Sequence, residues 1–146
     1  MRKSIDRIHC IGAVHGLLSR RDLQQVEMKE SARRIAKIVS QSVGKSDGVD
    51  VAVSGARVML ESQKATSLSL VIHELVDNAL RHGIGSRQQG KAQISFTRSG
   101  RELMVMISDD GVGLAKDFDL NRHSGMGLKT VVGLVTQDLG GEFRLF

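Results

Sequence analysis

Residues 73–83 read HELVDNALRHG, and what surrounds them decides the fold. On a helical wheel of about 100° per residue, Leu68, Ile72, Leu75, Val76, Ala79 and Leu80 share one broad arc. Glu74, Asn78 and Arg81 fall in a narrow arc beside it, with Asp77 and His82 at its margins. Helical steps of three and four stack Glu74, Asn78 and Arg81 along one face. Taken alone, a polar strip of this kind reads as a solvated helix surface more readily than as a site.

The pattern predicts a helix over residues 66–82, opened by a Thr/Ser cap and closed before Gly83. Upstream, VDVAV (49–53) alternates and is rich in valine, which reads as a strand. ARVML (56–60) is a second short strand, or a continuation of the first after a Ser-Gly turn. Residues 26–43 carry a helical stripe of Met28, Ala32, Ile35, Val39 and Val43, stopped by Gly44 and the polar KSDG. Another stripe, Ile5, Ile8, Ile11, Val14 and Leu18, predicts a helix over residues 4–19. Downstream, AQISFTR and ELMVMISD alternate around a Ser-Gly turn and predict an antiparallel hairpin. A glycine-bearing loop follows, then a helix over 128–139 with Leu128, Val131, Val135 and Leu139 on one side, then a strand beginning at EFRLF. This order implies a mixed sheet with helices covering one face.

Composition bounds the function classes. The chain has 146 residues, enough for one domain with a real core, with 40% hydrophobic and 25% charged residues. No apolar run reaches the roughly 18 residues of a membrane span, and the start of the chain lacks the pattern of a secretory leader. The single cysteine, Cys10, excludes an internal disulfide framework and suits a reducing cytoplasm. The net charge of +5 resides in the first third: residues 1–46 sum to +6 and the rest to −1. It falls on predicted helices without aromatic residues for base stacking, so it reads as a basic helix face and not as a nucleic-acid surface.

Two further stretches are individually weak. In SDDGVG (108–113), Asp109 ends a strand, where its carboxylate can accept from an exocyclic amine, and Gly111 and Gly113 let backbone approach a flat ring; Asp-Gly is also an ordinary turn pair. SGMGLKT (124–130) precedes a helix, whose first N–H groups suit phosphates. GSRQQGKA (85–92) nearly matches a P-loop, but Ala92 stands where a hydroxyl is needed, and a strand follows instead of a helix. No zinc-ligand spacing and no Gly-x-Ser-x-Gly elbow is present.

Together and in this order, the three stretches resemble the boxes of the Bergerat-type ATPases, the superfamily of gyrase B, Hsp90, mismatch-repair ATPases and sensor histidine kinases. ELVDNALRHG resembles the N-box, DDGVG the G1 box and GMGL the G2 box, over about residues 48–146. DRIHCIGAVHGLLSR and KATSLSLVIHELVDNALRHG further resemble the bacterial histidine kinases whose phosphoacceptor box reads His-x-Arg-Val-Lys-Asn-Asn. That box is absent, and the contexts of His9 (HCIG) and His15 (HGLL) fit it poorly. The resemblance implies an α+β, two-layer sandwich. Residues 1–24 would be the tail of a dimerisation hairpin and residues 25–146 the ATP-binding domain, its last strand incomplete after EFRLF.

The resemblance also implies roles. Asn78 is the expected magnesium ligand, Arg81 and His82 the phosphate-side contacts, and Glu74 the catalytic carboxylate, a general base for water in hydrolysing relatives and less settled in kinases. Asp109 is expected to accept from the adenine amine. Gly111 and Gly113 are expected to shape the adenine wall, and Gly125, Met126, Gly127 and Leu128 to offer backbone N–H groups to phosphates. Residues 114–124 would form a short ATP lid, with Lys116 and Phe118 closing it. Expected cofactors are ATP and Mg2+; expected partners are a phosphoacceptor histidine domain outside the chain, a response regulator and a second copy in a homodimer. The alternatives are an anti-sigma-type serine kinase and an ATP clamp or non-catalytic nucleotide module.

Overall fold

The computed structural model describes residues 8–13, 25–85, 87–111 and 126–145. In chain order the elements are β1 (Ile8–Ala13), β2 (Gln25–Glu27), α1 (Met28–Ser42), β3 (Val49–Gly55), β4 (Met59–Glu61), α2 (Ser62–Asn78), β5 (Gly90–Ser99), β6 (Glu102–Asp109), α3 (Met126–Gly133) and β7 (Glu142–Leu145). A π-helical turn extends α2 over Ala79–Gly83, and another extends α3 over Leu134–Asp138.

The main sheet runs β3-β5-β6-β1-β7. β3 is parallel to β5 and every other neighbouring pair is antiparallel, so the sheet is mixed, as the element order implied. The β5–β6 hairpin keeps Ala92, Ile94 and Phe96 in register with Asp109, Ile107 and Val105, so one side of the pleat carries all six. These residues are buried while Gln93 and Thr97, on the opposite side of the pleat, are exposed, so one face of the sheet carries the core. α1 and α2 pack against each other, and they supply Met28, Ala32 and Val39, and Leu68, Val71, Ile72, Leu75 and Val76, to the same buried cluster. The result is the expected two-layer sandwich with helices on one face.

Three local expectations change. Ile8–Ala13, read within a helix over 4–19, is a strand between β6 and β7, pairing Ile8 with Ile107 and with Leu145. In a segment this short, apolar residues at 8, 10 and 11 satisfy both periods. The N–H and C=O rows that β6 and β7 offer on either side give the extended form its partners. Second, the strand at 59–61 leaves the main sheet and pairs with β2. Third, α2 begins at Ser62, four residues before the expected cap, with no side-chain cap bond at its start.

Candidate functional site

The site is built along the end of α2, which the start of α3 and the end of β6 each contact. The core-facing arc of α2 fixes the helix on the sheet, which leaves Glu74 and Asn78 one turn apart on its flank, both half-buried. α3 packs along that flank. Its Gly127 lies against Glu74: a β-carbon there would stand 2.5 Å from Glu74 Oε2. At the opposite end, Ser67 Oγ donates to Asp138 Oδ2 at 3.1 Å, so the two helices run antiparallel with α3 opening beside Glu74. The first turn of α3 thus sits next to a carboxylate.

The second wall comes from β6. Asp109 is buried at 9% exposure, and its Oδ1 accepts from Gly111 N at 2.7 Å. The carboxylate rests on Gly83 at the end of the π turn, where a β-carbon would meet Oδ2 at 2.5 Å and Oδ1 at 2.6 Å. Gly111 in turn lies on the Gly83 main chain; a β-carbon on it would be 1.7 Å from Gly83 O. Only two residues without side chains allow the N-box helix and the strand end to approach this closely. Asp110 continues the β5 pairing: its N donates to Lys91 O at 3.0 Å and its Oδ1 accepts from Lys91 N at 2.9 Å.

The structure brings Glu74, Gly127 and the first turn of α3 together, and separately joins Asp109 and Gly111 to Gly83. Leu128 is half-buried in the first turn of α3, which Met126 opens. Gly113, Gly125 and the expected lid, with Lys116 and Phe118, lie outside the described residues. Arg81 stands in the π turn and keeps the i,i+4 partner that the wheel sets beside it. The π turn widens the helix after Asn78, with Ile84 N donating to Ala79 O at 2.8 Å, and Arg81 Nε donates to Asp77 Oδ1 at 2.8 Å. Asp77, at the margin of the polar arc, is therefore the holder of the Arg81 guanidinium. His82 is exposed. Gly83 was read only as a helix stop; its place under Asp109 had no sequence signal beyond the glycine itself.

These features have parallels in known proteins. Residues 63–145 match the family described as histidine kinase-, DNA gyrase B-, and HSP90-like ATPase. The chain is 34% identical over 144 residues to the sensor histidine kinase PdtaS of Mycobacterium tuberculosis, covering 98% of this chain and 29% of PdtaS. It is 32% identical over 113 residues to blue-light-activated histidine kinase 2 of Erythrobacter litoralis, covering 77% of this chain and 32% of that protein. The chain therefore spans about a third of the length of these relatives or less. Among solved structures, the histidine kinase domain of the Erythrobacter litoralis EL346 blue-light activated kinase superposes with a TM-score of 0.70 at 29% identity, over 80% of this chain and 54% of that one. The catalytic domain of histidine kinase ThkA shares the fold, with a TM-score of 0.65 at 17% identity over 82% of this chain and 84% of that one. With the match running from the start of α2 to the last strand, the chain belongs to the histidine kinase-, DNA gyrase B- and HSP90-like ATPase family.

Proposed function

We propose that this chain binds Mg-ATP and donates the γ-phosphoryl group to a histidine on a dimerisation domain, as the ATP-binding part of a two-component sensor kinase. The observation that carries the reading is the Asp109–Gly83–Gly111 contact, a buried carboxylate at a strand end braced by two main-chain surfaces. That arrangement suits the amine edge of adenine, because a carboxylate is an acceptor only and its position is fixed before the base arrives. The family match and the kinase relatives support the same nucleotide.

The phosphates belong at the start of α3, where Gly127 and Leu128 offer main-chain N–H groups toward the helix end. Asn78 and Glu74 flank that position. Among the described residues no group of three or more His, Cys, Asp or Glu could hold a metal. Magnesium fits this sparse donor set: it takes hard oxygen ligands and usually keeps waters and substrate phosphates, so one amide oxygen from Asn78 suffices from the chain. Held there, magnesium would supply charge neutralisation for phosphoryl transfer. Glu74 would order water or the attacking group at that position. Arg81, swung from Asp77, reaches phosphate oxygens, with His82 next to it. The acceptor histidine, a response regulator downstream and a dimeric parent follow from the same reading. No helix among the described residues is long and apolar enough to cross a membrane, and we place the domain in the cytoplasm.

The test is transfer itself. The chain is mixed with magnesium, γ-labelled ATP and the phosphoacceptor hairpin of its parent kinase, and acid-labile phosphohistidine is measured. Label on the hairpin is the expected result; no label together with no nucleotide binding by calorimetry refutes the reading. Asp109→Asn separates the adenine assignment from the rest: it should bind ATP far more weakly, and equal binding would remove Asp109 from the base pocket.

A further inference from the structure

Among the described residues Lys45 is the one buried basic side chain, at 7% exposure. Taking an ammonium out of water is costly unless its donors are satisfied. Lys45 Nζ donates to two main-chain carbonyl oxygens, those of Gly85 and, at 2.7 Å, Arg87. The stem is equally well fixed. Lys45 N donates to Ser40 O at 2.9 Å, and its carbonyl accepts from Val49 N at 3.0 Å and Gly48 N at 3.2 Å. The turn that ends α1 therefore presents a rigid cation to the segment leaving the N-box.

That segment leads directly to the Asp109 wall. Gly85 lies two residues after Gly83, on which the Asp109 carboxylate rests, and Gly111 packs on the Gly83 carbonyl and Ile84 N. Arg87 Nη1 donates to Asp110 O at 3.0 Å, and Arg87 Nη2 lies 3.8 Å from Asp110 Oδ2. One end of the connection is thus held by Lys45 and the other grips the residue after Asp109. A loop that merely joined α2 to β5 would need no buried charge. Hydrogen bonds to charged groups are the strong ones, and here both are spent on one short stretch of main chain.

We propose that Lys45 is a positioning residue for the adenine end of the nucleotide site: by clamping the Gly85 and Arg87 carbonyls it holds Gly83 under Asp109 and so sets where the carboxylate meets the base. This rests on the nucleotide reading above. Lys45 touches no part of the nucleotide itself; it acts through Gly83 and Asp110.

The experiment compares the affinities of Mg-ATP and purine riboside triphosphate, which lacks only the exocyclic amine, by calorimetry on the whole chain. The parent should prefer ATP. In Lys45→Met, ATP affinity should fall about tenfold, the scale of one charged hydrogen bond, while purine riboside triphosphate changes by less than about twofold, so the preference collapses. A general loss of stability would weaken both ligands together. Gly85→Ala perturbs the same stretch from the loop side, because Gly85 sits at φ +63°, where a side chain is strained, and an added β-carbon meets only the main-chain oxygens of His82 and Arg81, at 3.9 Å and 4.0 Å. It should collapse the preference in the same way while leaving the buried lysine in place. An unchanged preference in either variant, or an equal loss for both ligands, overturns the proposal. A parent that binds neither nucleotide overturns the nucleotide reading and this inference with it.

Discussion

Replacing Gly83 by alanine tests the contact on which the base pocket depends. The new β-carbon would stand 2.5 Å, 2.6 Å and 2.7 Å from Oδ2, Oδ1 and Cγ of Asp109. The carboxylate has little room to retreat, being buried and accepting from Gly111 N at 2.7 Å. Gly111 cannot retreat easily either, because its main chain already lies on Gly83. The clash is relieved by overpacking strain, about 1–3 kcal/mol, or by giving up the charge-assisted hydrogen bond, about 1.5–3 kcal/mol. Alanine returns about 0.4–1 kcal/mol through the unfolded chain. The expected net loss is about 1–2 kcal/mol, or a Tm lower by about 3–8 °C. ATP affinity should fall about tenfold or more, since the displaced group is the proposed base acceptor. Thermal unfolding and calorimetry read the two effects. Gly133→Ala is the control. Gly133 has helical φ and ψ of −60° and −46°, and a β-carbon there meets nothing within 4 Å, so this variant should gain about 0.5–1 kcal/mol. A Gly83→Ala chain that unfolds and binds ATP like the parent would refute the reasoning.

Asn78→Ala should remove the magnesium-dependent part of ATP affinity and leave binding in chelator unchanged; a similar loss with and without magnesium would count against the ligand assignment. Arg81→Ala removes a pair whose side chains are 49% and 25% exposed, so stability should shift by less than about 0.5 kcal/mol. Its triphosphate affinity should drop nonetheless, which urea unfolding and calorimetry separate. Phe96→Ala empties the largest fully buried side chain of β5, at 1% exposure. Urea unfolding should show a loss of about 3–5 kcal/mol, and a loss below about 1 kcal/mol would mean the core does not close around that residue.

The parts of the fold legible in the sequence are those where one period was unambiguous. α1 and the β5–β6 hairpin show a single spacing over many residues, so their faces were assigned correctly. Ile8–Ala13 is short enough for two spacings to coexist, and strand partners distant in the chain decided it. The site divides in the same way. Glu74 and Asn78 are one α-helical turn apart and half-buried on one flank, as the wheel requires. Arg81 lies in the π turn, yet its partner Asp77 is the i,i+4 neighbour that the wheel also sets beside it; a wheel shows which side chains are adjacent and not which of them pair. Lys45 sits in a turn, GKSDG, that reads locally as solvent-facing; its burial depends on carbonyls some 40 residues away, which no local pattern encodes.

The π turn at Ala79–Gly83 also constrains how this segment can vary in length. A turn closed from Ile84 N to Ala79 O holds one residue more than an α-helical turn. Arg81 and His82 are exposed, so the fold has little stake in which side chains stand there. It has a large stake in their number. Removing either one would let the helix close on the α pattern and rotate the following residue by about 100°, carrying Gly83 out from beneath the Asp109 carboxylate. The segment should therefore accept many substitutions at positions 81 and 82 and reject a single-residue deletion. This inverts the usual expectation for an exposed helix end, where length is the freer variable.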